Sequence, residues 1–367
     1  MKSNYKKLGQ YIRQVDVRNI EGKEENLLGV SVQKQFIPSI ANTVGTDFTK
    51  YKVVKKGQFT YIPDTSRRGD KIGIALLEDY EEGLVSNVYI VFEVIDTEKL
   101  LPEYLMLWFS RPEFDRYARF KSHGSVREVM DWDEMCKVEL PVPPIEEQRK
   151  IVKAYKTITD RIALKKQINS DLEATAQTIY NKMFIDDIDT ANLPNGWRID
   201  PLERIAELSA GGDRPMVYSD FPTELCNVPI FSNGIDEEGL YGFTDKAKIF
   251  DESVTVSARG TVGYVFLREE PYVPIVRLIS VIPNTSYVTA KYLYFALAAI
   301  DLHSTGTSQQ QITVPDFKKR RILVPDGITL SDFTSKIEPL FSAIKHNKAE
   351  IKSLIALQSS YLALLSR

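Results

Sequence analysis

The sequence predicts a mixed α/β (α+β) chain built twice over. Two β-rich globular segments are separated by two long antiparallel coiled-coil helices, duplicated about a pseudo-two-fold axis. Three observations predict this. Residues 124–143, GSVREVMDWDEMCKVELPVP, lie without a gap over residues 306–325, GTSQQQITVPDFKKRRILVP, at an offset of 182 that brings Val142-Pro143 onto Val324-Pro325. After each copy, a stripe recurs in steps of four and three. It runs Ile151, Tyr155, Ile158, Ile162, Lys165, Asn169, Leu172, Ala176, Ile179 and Met183 in the first, and Phe333, Ile337, Leu340, Ile344, Asn347, Ile351, Leu354, Gln358, Tyr361 and Leu365 in the second. Spacing of this kind over more than four heptads is a coiled-coil seam rather than a short surface helix. Before each helix lies a globular segment of about 140 residues, rich in short β-type runs bounded by turn residues.

The elements follow in order. In the first globular segment, residues 1–143, the β-type runs are KKGQFTYIP, DKIGIALLE and LVSNVYIVFEV. A helix follows at LPEYLMLWFSRPEFDRYARF, with Pro102 near its start and Pro112 marking a break. The first long helix occupies 144–185, with Pro144 where a helix can begin. The second globular segment, 186–326, carries VPIFSNGI, SVTVSARGTVGYVFLRE and IVRLISVIPN, then the helical TAKYLYFALAAI. The last helix fills 327–367. Each stripe of about 33 residues makes a helix roughly 50 Å long. Symmetric antiparallel pairing sets Ile151 opposite Leu365, Met183 opposite Phe333, Lys165 opposite Ile351, and Asn169 opposite Asn347. Two amides meeting in an apolar seam satisfy each other and fix register, since a slipped register strands both. The competing reading leaves both facing solvent.

Composition bounds the function. A chain of 367 residues exceeds one ordinary core and suits two domains and a connector. With 43% hydrophobic and 26% charged residues it has the balance of a folded globular protein. Its longest apolar runs, such as YLYFALAAI, fall well short of the roughly 20 residues that span a bilayer, and MKSNYKKLGQ has no apolar signal core. A cytoplasmic protein without a membrane partner is expected. Cys136 and Cys226 form neither a disulfide framework nor a zinc cluster, and the three histidines leave little room for histidine chemistry. A net charge of −3 excludes gripping nucleic acid by bulk positive charge, so any DNA contact is local or shared with a partner.

Motifs of catalysis are missing. No glycine-rich phosphate loop leads into Lys-Ser/Thr, and SAGGD (209–213) reads as a loop. The Asn/Asp-Pro-Pro-aromatic motif of adenine methyltransferases does not occur. Pro325-Asp326 with Glu350-x-Lys352 imitates a nuclease pattern, but Glu350 falls mid-helix and Mg²⁺ sites need clustered acids. No catalytic, cofactor-binding or metal residue is assigned. What remains are polar loops at repeated positions. FKSHGSVRE supplies Lys121, Ser122, His123, Ser125 and Arg127; LHSTGTSQQQ supplies Thr305, Thr307, Ser308, Gln309, Gln310 and Gln311. Such side chains read base edges in the major groove. DTSRRGDK adds Arg67, Arg68 and Lys71, and SARGTVG adds Arg259, for phosphates or guanines. Arg214 and Asn233 complete the DNA-binding candidates. The same residues also compose ordinary solvated loops, and KKRR at 318–321 reads equally as a solvated face.

On its motifs the chain resembles the specificity subunits of type I restriction-modification systems. The resemblance rests on LPVPPIEEQRKIV at the centre, LPNGW (193–197) opening the second domain, and KKGQFTYIP, DKIGIA and GLVSNVYIVF in the first. The duplicated plan extends it over essentially the whole chain. The second half departs, with VPDGITLSDF where the family more often repeats Pro-x-x-Glu-Gln, and the first domain lacks the Leu-Pro-x-Gly-Trp opening. The resemblance implies a non-catalytic subunit whose segments 1–143 and 186–326 are target-recognition domains, each reading half of a bipartite site on double-stranded DNA. It implies that the helices space these domains and dock two methyltransferase subunits, and that restriction and translocase subunits can join. S-adenosylmethionine, ATP and Mg²⁺ then belong to the partners, and this chain binds no cofactor. Unequal loop sequences in the halves predict an asymmetric site, and helices of this length suit half-sites about one to one and a half turns apart. A scaffold with duplicated domains and no DNA role, and an enzyme with an unrecognised site, are the competing classes.

Overall fold

The computed structural model describes residues 5–40, 43–64, 71–122, 128–300 and 311–365. They form two compact units, Met1–Lys166 with Lys348–Arg367, and Gln167–Asn347. The long helices are Ile145–Phe184 and Gly327–Leu364, and each unit contains a stretch of both.

In the first unit a four-stranded antiparallel sheet runs Ile12–Val15, Ile90–Val94, Phe59–Tyr61, Ile74–Leu76. In the second the sheet runs Ala206–Ala210, Ile279–Pro283, Ser253–Val256, Val265–Arg268. The order of strands along the chain is the same in both: first, fourth, second, third. A second shared device closes each unit. The strand that enters a long helix pairs antiparallel with one that opens the globular part, Glu139–Pro141 with Tyr5–Lys7 and Arg321–Val324 with Arg198–Pro201. The duplication therefore persists in topology where the letters have diverged. The units differ in their extra strands. Val228–Phe231 lies between Leu240–Thr244 and Val273–Pro274, whereas the first unit has two separate strand pairs, Leu28–Val30 with Phe36–Pro38 and Lys52–Lys55 with Glu82–Val85.

Two readings of local sequence are corrected. LVSNVYIVFEV is not one strand: a turn closed by Tyr89 N donating to Ser86 O at 3.1 Å splits it between two sheets. SAGGD is not wholly a loop, because Ser209 and Ala210 finish a strand. Its Gly211 then passes so close to 274–275 that an added Cβ would stand 2.7 Å from Ile275 N, which leaves room only for glycine.

Every position of both stripes is buried or half-buried. Within the second unit Asn347 Nδ2 donates to Asn169 Oδ1 at 2.8 Å, and both residues are buried. Within the first, the Tyr155 and Tyr361 rings lie 6.5 Å apart, and Glu350 pairs with Arg161 and with Lys165, the latter at 3.0 Å. The stripes miss a second apolar face, because a globular core also packs on each helix pair. Tyr180, Phe184 and Phe341 join Tyr292 and Phe295 in the second unit, with Phe184 and Phe333 edge to face at 5.0 Å. Leu362, off the stripe, and Leu365, on it, join Leu105, Trp108 and Phe109 in the first.

The two motifs at the helix starts act as different clips. Gln148 is fully buried; its Nε2 donates to Lys99 O and Pro143 O, both at 2.8 Å, and its Oε1 accepts from Leu101 N at 2.9 Å. The glutamine of PIEEQ thus ties the first long helix to the start of helix Pro102–Phe109. In the second copy Leu330 stands at that position and Asp326 takes over. Its carboxylate accepts from Ile328 N at 2.9 Å, Thr329 N at 3.1 Å and Trp197 Nε1 at 2.8 Å. Bonds from the Thr329 hydroxyl and amide lead in holding this carboxyl down to about 2. Gly196 of LPNGW has φ +84 and sits against Asp326, where a side chain would be both strained and crowded.

Candidate nucleic-acid interface

Described residues at the edges of the loops nominated by sequence are hydrogen-bonded to one another in pairs. In the first unit, Met130 N donates to Pro63 O at 2.9 Å and Asp64 bridges to Val129, which joins the hairpin after Phe59–Tyr61 to the segment after helix Pro112–Lys121. In the second, Ile312 N donates to Ala258 O at 3.0 Å, joining the hairpin after Ser253–Val256 to the segment after helix Ala290–Ala298. Met130 and Ile312 are repeat-equivalent positions. The same backbone bond thus recurs where both halves carry their polar loops.

Beneath the first pair lies an ion pair. Lys34, at φ 64, is 8% exposed; its ammonium stands 2.8 Å from Asp115 Oδ1 and 5.5 Å from the centre of the Phe114 ring, and donates to Phe109 O. Burial pulls its pKa down while Asp115 opposes the shift. Asp115 also accepts from Ile72 N at 3.2 Å, so the turn at Lys34, the hairpin and the helix meet at one carboxylate. Lys71 is exposed, and Lys121 is half-buried beside the exposed Phe120 ring. Ser122 spends its hydroxyl proton on Ala118 O at 2.6 Å.

The second unit organises its loops through Asn233. Its Nδ2 donates to Val276 O at 2.7 Å, its Oδ1 accepts from Ala258 N at 2.8 Å, and its carbonyl accepts from the Thr261 hydroxyl. Asn233 therefore holds loops in place with the atoms that would read a base. Arg259 is exposed, and with the Gln311 amide oxygen turned toward it, its guanidinium donates there from Nε and, at 2.6 Å, from Nη2. Arg214 is exposed and stacks over the Tyr218 ring at 4.7 Å. Arg67, Arg68, His123, Ser125, Arg127, Thr305, Thr307, Ser308, Gln309 and Gln310 lie outside the described residues. Arg277, which the sequence reading did not nominate, is exposed on a turn beside Asn233, a lone arginine in the apolar run IVRLISVIPN.

Other sequence patterns resolve into structural parts. Asp326 caps a helix and Glu350 pairs with Arg161 and Lys165, so the nuclease-like pattern has no common centre. Among the described residues no group of three or more His, Cys, Asp or Glu could hold a metal ion, and no helix is long and apolar enough to cross a membrane. A cleft of about 730 Å³ beside Arg198, Tyr287 and Asp326 contains none of the nominated DNA-binding residues.

Fold and loops together define a duplicated α/β protein with an antiparallel pair of long helices and stitched polar loops in each half. The model of the type I restriction modification DNA specificity domain matches residues 3–174 and 194–353, and the chain belongs to that family. A putative type I specificity subunit of Mycoplasma pneumoniae is 27% identical over 210 residues, 56% of this chain and 56% of that protein's own length. A second from the same organism is 26% identical over 271 residues, 68% of this chain and 79% of that one. The specificity subunit of a type I restriction enzyme of Methanocaldococcus jannaschii is 24% identical over 300 residues, 73% and 69% respectively. The crystal structure of a type I restriction-modification S subunit from M. genitalium shares the fold, with a TM-score of 0.61 at 13% identity over 99% of this chain and 96% of that one.

Proposed function

We propose that this chain is the DNA-specificity subunit of a type I restriction-modification complex. Segments 1–143 and 186–326 act as target-recognition domains, each reading half of a bipartite, asymmetric site on double-stranded DNA. Helices 144–185 and 327–367 space them and dock two methyltransferase subunits, and restriction and translocase subunits join that assembly. The chain is non-catalytic. S-adenosylmethionine, ATP and Mg²⁺ act on the partners. The observation that carries this reading is the repeated stitch, Met130 to Pro63 and Ile312 to Ala258, which gathers two polar loops at equivalent places in both halves. Family membership supports it, and the net charge of −3 fits partners that supply much of the phosphate contact. Of the nominated residues among those described, Lys71, Lys121, Arg214, Arg259 and Gln311 are kept as readers, while Ser122 and Asn233 bond to the backbone and hold their loops, and the candidates of the undescribed stretches stand beside them.

The experiment is co-expression with a methyltransferase subunit, followed by gel shift and a methylome. A stable complex that methylates one asymmetric bipartite sequence is expected. No complex and no sequence-specific adenine methylation would defeat the proposal.

The Asn169–Asn347 pair serves this architecture as a register lock. Changing both to leucine removes both members of that hydrogen bond from a buried seam, so neither amide is left facing an apolar side chain. The thermal midpoint should rise by about 2–4 °C for each kcal/mol gained, while the assembly state loosens. A clear fall in midpoint, read by calorimetry alongside light scattering, would refute the lock.

A further inference from the structure

Val276 and Arg277 both occupy the left-handed region, at φ 52 and φ 65. Neither is glycine, and two consecutive side-chain-bearing residues there are strained, a conformation that persists only where surrounding structure imposes it. The imposing bonds are present. Val276 N donates to Gly212 O at 2.8 Å, Arg277 N to Gly211 O at 3.0 Å, and Asn233 Nδ2 to Val276 O at 2.7 Å. Gly211, which tolerates no Cβ, lets the backbone approach closely enough for these bonds. Through its Oδ1, Asn233 fixes the same turn to Ala258, next to Arg259.

The turn is thus built rigidly, yet the side chain it presents is uncommitted. Arg277 is exposed, and among the described residues its guanidinium has no hydrogen bond or ion pair. Arg259, by contrast, faces the Gln311 amide, which takes two of its donors when its oxygen is turned toward the guanidinium. The fixed backbone sets where the side chain starts, and a guanidinium with no partner among the described residues keeps its whole bidentate fork for a guanine edge. From this geometry we infer that Arg277 is a specificity-determining residue that reads a guanine in the half-site of the second unit, with Asn233 as its positioning residue. The inference rests on the specificity-subunit reading and adds a residue and a base to it.

The test uses the full chain complexed with its methyltransferase subunits, selecting from a randomised DNA library at several salt concentrations. Arg277→Asn keeps a residue at ease in the left-handed turn, and Arg277→Lys keeps the charge without the fork. Both should relax discrimination at one G·C pair of one half-site by about 5- to 150-fold, leaving the other half-site unchanged. Asn233→Ala should relax the same base pair, with Arg277 intact. A uniform loss over all sequences with the salt slope lowered by about one would mark a phosphate contact and overturn the assignment. So would unchanged selectivity in both Arg277 variants. A wild-type complex that selects no sequence would overturn the specificity reading as well, which separates the two failures.

Discussion

Replacing Lys34 with methionine is expected to destabilise the first unit by about 3–5 kcal/mol, the range for breaking a buried ion pair by removing one partner. The substitution keeps the length and apolar stem of the side chain. It leaves the Asp115 carboxylate, on a side chain 11% exposed, without its cation, and deprives Phe109 O of a donor. The double variant Lys34→Met, Asp115→Leu should recover part of the loss, because no charge is then stranded, but not all of it, because Ile72 N loses its acceptor. Urea unfolding of the wild type, both single variants and the double variant closes the cycle. Additive losses would show that the two side chains do not act as a pair. Since the pair joins the turn at Lys34 to the hairpin that carries Lys71, milder Lys34 variants should also alter recognition by the first unit before they unfold it.

Gln148→Leu is expected to cost the same unit about 2–3 kcal/mol. Three hydrogen bonds disappear together, and Leu101 N, Lys99 O and Pro143 O lose their partner at a fully buried side chain. The second half of the chain uses leucine at this position, yet there Asp326 and Trp197 make the clip. The substitution therefore imports one half of an arrangement without the other. Denaturant unfolding monitored by the tryptophans measures the loss; a change below about 0.5 kcal/mol, the level of an ordinary surface substitution, would mean the glutamine is dispensable.

The periodic and repeated features were legible because their signals are local. Both stripes, the Asn169–Asn347 encounter and the break at Pro112 follow from spacing and proline chemistry, and the helices Pro102–Phe109 and Pro112–Lys121 fall where expected. Sheet partners were not legible, since strands of two to five residues say little about which neighbour they will find. The loops could be nominated one by one, but their joining depends on backbone atoms distant in sequence. Arg277 was hidden for a different reason: β-type letters surround a turn whose left-handed residues are neither glycine nor asparagine. The second apolar face, at Tyr180, Phe184 and Phe341, escaped because a strict seam was sought where each helix also serves a globular core.

The bonds Met130 to Pro63 and Ile312 to Ala258 run from main-chain nitrogen to main-chain oxygen. Any residue but proline can donate there, and any residue can accept. The frame therefore asks almost nothing of side-chain identity at the point of contact. Mutation can rewrite the letters on either side without loosening the join, so under the proposed function a lineage bearing this fold would drift to new target sequences one residue at a time while its architecture stays intact.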